Sequence, residues 1–196
     1  PERVGLVVGF VALAAAVVGT RWGVFTPDTQ PDLYQDPGGF LRSSLDAWIG
    51  GVSGMGQGNF NAGAAPVGAV VWLIRRVSEP WLAVRLWRLL LLVVGAWGIR
   101  RYLGALMGPR LTVGARTVAT VFWLVNPYVI VAGSTTPILL PYALLPWTML
   151  AFLRATRSPR SWRWPALFAL AFAAQTGLNA GVVPFFSLLA LPGHLV

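Results

Sequence analysis

The chain contains, near its centre, the run Trp81-Leu-Ala-Val-Arg-Leu-Trp-Arg-Leu-Leu-Leu-Leu-Val-Val-Gly-Ala-Trp-Gly-Ile99, which Arg100 and Arg101 follow directly. Its length matches the roughly 20 apolar residues that a helix needs to cross the hydrocarbon core of a bilayer. Hydrophobic residues make up 56% of the 196 residues and charged residues 11%, whereas soluble domains carry about 25% charged residues. The sequence therefore predicts an integral membrane protein, and its composition argues against a water-soluble enzyme.

Further apolar runs extend this reading to a polytopic fold. Residues 4–20 form the first, and a cleaved signal peptide is the alternative there, although no small-residue cleavage site follows before Arg21. The remaining candidate spans are residues 113–132, 138–153, 164–178 and 181–196. We predict an all-α, polytopic membrane protein with about five or six transmembrane helices. Because no start Met opens the sequence and no polar tail closes it, we expect residues 1–196 to be one membrane domain from the N-terminal part of a longer protein.

The arginines predict the orientation in the membrane. All 15 basic residues are Arg, and eight of them lie in the connections 100–116 and 154–163, which contain no acid. Residues 21–80 contain five of the six acidic residues and only four Arg. Since cytoplasmic connections are enriched in Lys and Arg, we expect the two Arg-rich connections in the cytoplasm and residues 21–80 outside. The arginines lie between apolar runs rather than on a polar surface, so the expected environment is a lipid bilayer and not nucleic acid.

Two apolar segments of the outer loop 21–80 are poor candidates for spans. Residues 62–74 are too few to cross comfortably, and a crossing there would prevent both Arg-rich connections and the N-terminus from all being cytoplasmic. Residues 37–49 have an apolar stripe opposite polar side chains, which is typical of a helix lying at the membrane interface. We predict an in-plane helix in each segment, the one at 37–49 beginning with Asp36 as N-cap and Pro37 in its first turn.

Three carboxylates follow the first span in a proline-rich segment, Phe25-Thr-Pro-Asp-Thr-Gln-Pro-Asp-Leu-Tyr-Gln-Asp-Pro37. Asp28, Asp32 and Asp36 are spaced four apart, but the prolines forbid one continuous helix. We therefore expect an extended segment that runs along the outer surface of the membrane. A carboxylate held there can act as a general base toward a hydroxyl. The alternative is a solvated acidic turn with one helix cap, a role that suits Asp36.

Arg85 and Arg88 lie one helical turn apart in the outer half of the run 81–99. An arginine buried in a membrane span is costly and normally has a partner, and its planar guanidinium suits phosphate. We therefore predict that these side chains bind a lipid phosphate. The alternative is that both extend to the outer interface, with only their stems buried.

Other features restrict the chemistry. Polar residues within the runs predict hydrogen bonds between helices, and prolines there predict kinks. The sequence has no Cys and no nucleotide-binding or Ser/His/Asp motif, so it does not support a thiolate metal site, a hydrolase or a nucleotide-driven pump. The polar residues are Asn126, Gln175, Thr176 and Asn179, and the prolines are Pro127, Pro141 and Pro146.

Several motifs, in their order along the chain, resemble one family of membrane glycosyltransferases. They are Asp28-Thr-Gln-Pro-Asp-Leu-Tyr-Gln-Asp-Pro-Gly-Gly-Phe-Leu41, Gly56-Gln57, Trp81 with Leu86-Trp87, Pro141-Tyr-Ala-Leu-Leu-Pro-Trp147 and Gly177-Leu-Asn-Ala180. Together they are similar to the N-terminal membrane domain of the actinobacterial alpha-(1->3)-arabinofuranosyltransferase D family, which has the GT-C glycosyltransferase fold. The resemblance runs over nearly the whole chain.

The resemblance implies a reaction and roles for several residues. A polyprenyl-phosphate donor would supply arabinofuranose to a cell-wall glycan acceptor at the outer side of the cytoplasmic membrane. Asp28 matches the catalytic position and would take the proton of the acceptor hydroxyl, and Asp32 would orient the acceptor. Gln57 and Asn179, which lie in matching motifs, join the two arginines of the run 81–99 as candidates for binding substrate.

The sequence departs from the family pattern at two places. An aromatic Gly-Tyr-Leu-Phe-Pro stretch of the family is Ala62-Gly-Ala-Ala-Pro66 here, and the second outer loop, Gly133-Ser-Thr-Thr-Pro137, lacks the acid that the family carries. The missing acid removes one ligand for a divalent cation, so that a metal cofactor stays an open alternative rather than an expectation.

Two other functions fit the same sequence. A transporter or flippase for a lipid-linked sugar would use an apolar groove without a general base, and transporters often carry inverted repeats, which this sequence does not display. A non-catalytic membrane module of a cell-wall assembly complex would need no chemistry from its acidic residues.

Overall fold

A computed structural model describes residues 2–19, 22–25, 29–49, 57–58, 61–132, 135–158, 160–176 and 178. Where it is described, the chain is almost entirely helical, which confirms the predicted all-α class. The α-helices are α1 (Glu2–Val18), α2 (Asp32–Gln35), α3 (Pro37–Ser43), α4 (Ala65–Arg75), α5 (Pro80–Met107), α6 (Val113–Val125), α7 (Pro127–Ala132), α8 (Thr136–Arg157) and α9 (Arg163–Thr176). Two short strands, β1 (Trp48–Ile49) and β2 (Gln57–Gly58), pair in antiparallel fashion.

Three of the described helical stretches are long and apolar enough to cross a membrane: Pro80–Arg110, Val113–Ile130 and Thr136–Arg157. They coincide with the expected spans at 81–99, 113–132 and 138–153. Helices α1 and α9 occupy the expected spans at 4–20 and 164–178 with 17 and 14 residues. The last expected span, 181–196, lies outside the described residues.

Helix α5 is the centre of the bundle and contacts α1, α2, α4, α6 and α8. Its buried side chains Val84, Trp87 and Leu91 belong to one core cluster with Leu139 and Leu140 of α8. Inside a membrane the lipid tails are as apolar as these side chains, so that close packing, rather than escape from water, must favour helix association.

Two glycines allow α5 and α8 to approach closely. A Cβ atom at Gly95 would lie 3.2 Å from the Cα of Ala143, and one at Gly98 would lie 2.6 Å from the indole nitrogen of Trp147. That indole cannot easily move away, because its N–H donates to the carbonyl of Val94 at 3.0 Å. Contacts of this kind are typical of small residues at helix interfaces in membranes.

Helix α5 extends beyond the end of the expected span. The charge pattern predicts a cytoplasmic loop at Arg100 and Arg101, but the helix continues through them to Met107. Gly108 ends it with a φ of +59°, a conformation that other residues rarely adopt. The long arginine side chains let the helix continue past the apolar layer because their charged ends can reach the interface.

The expected helix at 113–132 is divided in two at Asn126. Pro127 lacks an N–H and disfavours a helical residue before it, and Asn126 accordingly has an extended ψ of 157°. The Asn126 amide nitrogen donates to the carbonyl of Trp123 at 2.8 Å and to the hydroxyl of Tyr142 on α8, and its amide oxygen accepts from Val129 N at 3.1 Å. The predicted hydrogen bonding between helices is thus confirmed for this residue.

Gln175 makes a second polar link between helices. Its amide nitrogen donates to the Thr148 hydroxyl at 2.6 Å, and both side chains are buried. Pro141 and Pro146 are buried inside α8, which nevertheless continues from Thr136 to Arg157.

Both helices predicted in the outer loop are present, although one is shorter than expected. Helix α4 has 11 residues, about 16 Å, and is too short for a hydrocarbon core of about 30 Å. Helix α3 begins as predicted, with the Asp36 carboxylate accepting from Gly39 N at 2.9 Å. The prediction that it continues to residue 49 is wrong, because the Ser43 and Ser44 hydroxyls bond carbonyls of its last turn and the chain then enters β1.

Replacing Gly98 with Ala is expected to destabilise the bundle by about 1–3 kcal/mol, because the new methyl group must displace the Trp147 indole. Thermal unfolding in detergent measures the change. Gly114→Ala is the matched control, since a Cβ there meets nothing within 4 Å. Equal melting temperatures for the two variants would contradict the close contact between α5 and α8.

Candidate functional site

Asp32, the second carboxylate of the acidic segment, lies on the exposed face of helix α2. Leu33 and Tyr34 are completely buried, whereas Asp32 and Gln35 are exposed. The helix contacts α3, α4 and α5, so that its two buried side chains determine which way the carboxylate of Asp32 faces.

Tyr34 joins this helix to the start of α8. Its hydroxyl lies 2.6 Å from the Thr136 hydroxyl at the start of α8, and both residues are fully buried. Its carbonyl accepts from Arg75 Nε at 2.9 Å, which adds the end of α4. The acidic segment is therefore fixed to two helices that are distant from it in sequence.

Arg85 fixes the other side of the same segment. Its side chain is only 3% exposed, and its guanidinium donates to Val18 O at 2.9 Å and to Val24 O at 3.3 Å. The first acceptor is the last residue of α1, where the helix dipole favours a positive charge. The guanidinium also lies 5.0 Å from the ring centre of Trp81. The predicted need of this buried arginine for a partner is thus met, in the described structure, by backbone carbonyls.

Further contacts flank the undescribed residues 26–28. The Phe25 ring meets the Tyr34 ring edge-on, with centres 6.3 Å apart. On the other side, Gln30 Nε2 donates to Asn61 Oδ1 at 2.9 Å. The segment that contains the predicted general base is thus attached both before and after that base.

The structure describes only some of the predicted site residues. Asp32 is exposed at the start of α2, and Arg88 is half-buried one turn beyond Arg85 on α5. Gln57 lies in β2, where its backbone pairs with Ile49, but its side chain lies outside the described residues. Asp28 and Asn179 also lie outside them, and the functional roles assigned to all six residues stay predictions.

Within the described ranges, the side-chain ligands of a metal ion would be His, Cys, Asp or Glu. There, no three His, Cys, Asp or Glu side chains come together in a way that could hold a metal ion. The start of α8 provides Thr136 instead, whose hydroxyl contacts Tyr34. These described donors do not form a cation site.

Tyr34, Thr136 and Arg75 were not identified from the sequence as parts of the site. The signal for Tyr34 was its position between Asp32 and Asp36 in an otherwise polar segment, since a buried tyrosine hydroxyl usually needs a partner. The partner itself, 102 residues away, leaves no local pattern.

Comparison with known proteins agrees with this architecture. Residues 12–192 match a family model described as alpha-(1->3)-arabinofuranosyltransferase, N-terminal GT-C domain. The chain belongs to this family. It is 34% identical over 184 residues to an alpha-(1->3)-arabinofuranosyltransferase of Mycobacterium tuberculosis, and 31% identical over 163 residues to one of Mycolicibacterium smegmatis. These alignments cover 90% and 81% of the chain but only 12% and 11% of the two relatives.

The fold is also that of a solved relative. Two cryo-electron microscopy structures of mutant arabinofuranosyltransferase AftD from mycobacteria match with TM-scores of 0.68 and 0.67 at 27% identity. Each match covers 98% of this chain and 17% of the solved chain. The family, the three helices that are able to span and the structural match together identify a multi-pass membrane protein with the GT-C fold, as the sequence predicts.

Arg85→Gln is expected to lower the free energy of unfolding by about 2–4 kcal/mol, because two backbone carbonyls lose charged donors. It is also expected to speed tryptic cleavage after Arg21, since the link between α1 and residue 24 weakens. Thermal unfolding and timed proteolysis measure both effects. Arg110→Gln, at an exposed position, is the control. If Arg85→Gln left both the melting temperature and the cleavage rate unchanged, the anchoring role of Arg85 would be contradicted.

Tyr34→Phe and Thr136→Val are each expected to lower the free energy of unfolding by about 1 kcal/mol. The double variant is expected to lower it by less than the sum of the two single changes. The two hydroxyls contact each other, and residues in contact show coupling in a double-mutant cycle. Thermal unfolding of the four proteins gives the coupling free energy. Strictly additive changes would argue against the contact.

Proposed function

We propose that this chain forms the catalytic membrane domain of a GT-C glycosyltransferase, one that transfers arabinofuranose from a polyprenyl-phosphate donor to a cell-wall glycan acceptor. Membership of the family and the names of the mycobacterial relatives support arabinofuranosyl transfer. The chain spans about one eighth of the curated relatives, so that the activity is a proposal for the whole protein of which these residues are part.

The observation that supports an enzyme most strongly is the attachment of the acidic segment to the helical bundle. Arg85 binds Val24 before the predicted base, and Tyr34 binds Thr136 after it. A general base works only when its oxygen is held within reach of the proton that it removes. A merely solvated acidic turn would not need buried anchors on both sides.

In the proposed reaction, the Asp28 carboxylate takes the proton of an acceptor hydroxyl. The hydroxyl oxygen attacks the anomeric carbon of arabinofuranose as the bond from that carbon to the phosphate oxygen breaks. Polyprenyl phosphate leaves with the bonding electron pair, and the configuration at the anomeric carbon inverts. Asp32, exposed four residues later, orients the acceptor by accepting a hydrogen bond from a second hydroxyl.

Positive charge near the phosphate stabilises the charge that the leaving group gains. Arg88, half-buried on the outer part of α5, and Arg85, buried one turn before it, provide this charge in the proposal. Arg85 also holds the backbone that leads to Asp28. Gln57 and Asn179 are proposed to contact the sugar through their amide groups.

The proposed site faces the outside of the cytoplasmic membrane. The distribution of charge supports this orientation, because no Asp or Glu follows Glu79 while eight Arg lie in the connections 100–116 and 154–163. Connections rich in Arg are retained on the cytoplasmic side. The acidic segment is held near the start of α5 and the Arg-rich connection follows its end, so the segment is proposed to lie outside.

Asp28→Asn in the full-length protein is expected to reduce turnover by a factor of about 10² to 10⁴, the usual contribution of a general base, without changing the melting temperature. Asp32→Asn is expected to raise the KM for the acceptor more than it lowers kcat. Transfer of radiolabelled arabinofuranose from its polyprenyl phosphate to an arabinan oligosaccharide measures both.

Asp36→Asn is the matched control, because Asn caps a helix as well as Asp does and the chemical change is the same. It is expected to leave turnover within twofold. Full transfer by the Asp28 variant would remove this residue from the catalytic role. If the protein instead moved the lipid-linked sugar across the membrane of a vesicle without transferring the sugar to an acceptor, it would be a transporter.

A further inference from the structure

A cleft of about 390 Å³ lies between α5, α8 and α9, at the end of the bundle opposite to the acidic segment. Two arginines, Arg101 and Arg154, and three tryptophans, Trp97, Trp147 and Trp164, contribute to its walls. We call it the aromatic cleft. Of the site candidates whose side chains the structure describes, Asp32, Arg85 and Arg88 do not contribute to its walls.

The arginines of the cleft have no carboxylate to pair with in their own part of the chain. No Asp or Glu follows Glu79 in the sequence, whereas four more Arg flank the cleft arginines, at positions 100, 157, 160 and 163. The anion that balances this charge must therefore come from another part of the protein or from the surroundings.

Each of the two cleft guanidiniums lies over a tryptophan ring. Arg101 Cζ lies 5.5 Å from the ring centre of Trp97, and Arg154 Cζ lies 5.7 Å from that of Trp164. A cation–π contact does not use up the N–H donors of a guanidinium, so these donors can still bind phosphate oxygens. The Trp147 N–H is already used by the Val94 carbonyl.

The rest of the wall is apolar. Leu150, Ala151, Leu167 and Ala171 line it between α8 and α9. Trp97 and Leu167 are about half exposed, at 54% and 49%, so that the cleft opens sideways from the bundle. A free inorganic anion would gain nothing from this wall, whereas an acyl chain would.

The depth of the cleft matches one edge of a bilayer. Arg101 follows Pro80, the start of α5, by 21 residues, and Arg154 follows Thr136, the start of α8, by 18 residues. At 1.5 Å per residue these arginines lie about 30 Å and 27 Å along their helices, close to the thickness of the hydrocarbon core. The two helices run side by side in the same direction, because Trp147 donates to the carbonyl of Val94 and, ten residues later on α8, Arg157 donates to the carbonyl of Ala105 further along α5.

We propose that the aromatic cleft binds an anionic phospholipid of the leaflet at the Arg-rich end, with its phosphate between Arg101 and Arg154 and one acyl chain along α8 and α9. Basic pockets between membrane helices at the positively charged side bind such headgroups. Tryptophans at this depth suit the boundary between headgroups and acyl chains.

The test compares two double variants of the full-length protein that lose the same charge. Arg101→Gln with Arg154→Gln removes both cleft cations, and Arg110→Gln with Arg160→Gln removes two arginines outside the cleft. Native mass spectrometry of delipidated protein titrated with phosphatidylglycerol measures lipid binding. The cleft pair is expected to bind about 30-fold more weakly than the unmodified protein, and the outside pair within threefold of it.

A third variant tests the apolar wall without altering charge. Ala171→Trp fills the cleft and is expected to weaken phosphatidylglycerol binding at least tenfold, although both arginines remain. Melting temperatures of all variants within a few degrees of each other exclude unfolding as the cause.

Three results would overturn the proposal. Equal losses of phosphatidylglycerol affinity in the two double variants would indicate that general surface charge, and not the cleft, attracts the lipid. Equal affinity of the unmodified protein for phosphatidylcholine with the same acyl chains would remove the preference for an anionic headgroup. Displacement of the lipid by inorganic phosphate at millimolar concentration would indicate an ion site without a chain.

Discussion

A guanidinium within an apolar helical bundle must find oxygen acceptors, and Arg85 finds them at the end of a different helix. Its bonds to Val18 and Val24 join the last residue of α1, and the chain just after it, to the first turns of α5. The bond to Val18 satisfies a carbonyl at the end of α1, where the last carbonyls of a helix have no partner within it. Arg85 therefore helps to fix the position of α1 and of the chain that follows it, together with the packing of Leu13 and Val17 against the core cluster.

Helix α5 connects two chemically different regions. Near its start, Arg85 and the contacts of α2 hold the acidic segment. Sixteen residues later, about 24 Å along the helix, Arg101 lies over the Trp97 ring in the aromatic cleft. Between them, Gly95 and Gly98 bring α8 into direct contact. Because α8 also contributes Thr136 at one end and Arg154 at the other, the pair α5 and α8 forms the frame for both regions.

The sequence predicted the features that depend on near neighbours. Apolar runs gave the helices, Asp36 with Pro37 gave the start of α3, and Pro127 gave the break before α7. It overestimated α3, because the serine hydroxyls at its end compete for backbone carbonyls only once a turn has formed. It underestimated α5, because Arg100 and Arg101 resemble a loop when only charge is considered.

The contacts within the candidate site could not be predicted in the same way. Tyr34 with Thr136, and Arg85 with Val18, join residues that are 102 and 67 positions apart, and no periodicity encodes such pairs. The residue types were nonetheless informative, since a buried arginine had been expected to need a partner. What the sequence left open was whether that partner is a ligand or the chain itself.

The separation of acids from arginines has a consequence for the response to acidity. Arginine keeps its charge throughout the pH range in which proteins remain folded, and beyond Glu79 the chain offers only His194 that could gain a proton as the medium turns from neutral to mildly acidic. The electrostatic field around α5 to α9 is therefore almost constant over that range. Any protonation-dependent behaviour of this chain must originate in its first 79 residues or at His194.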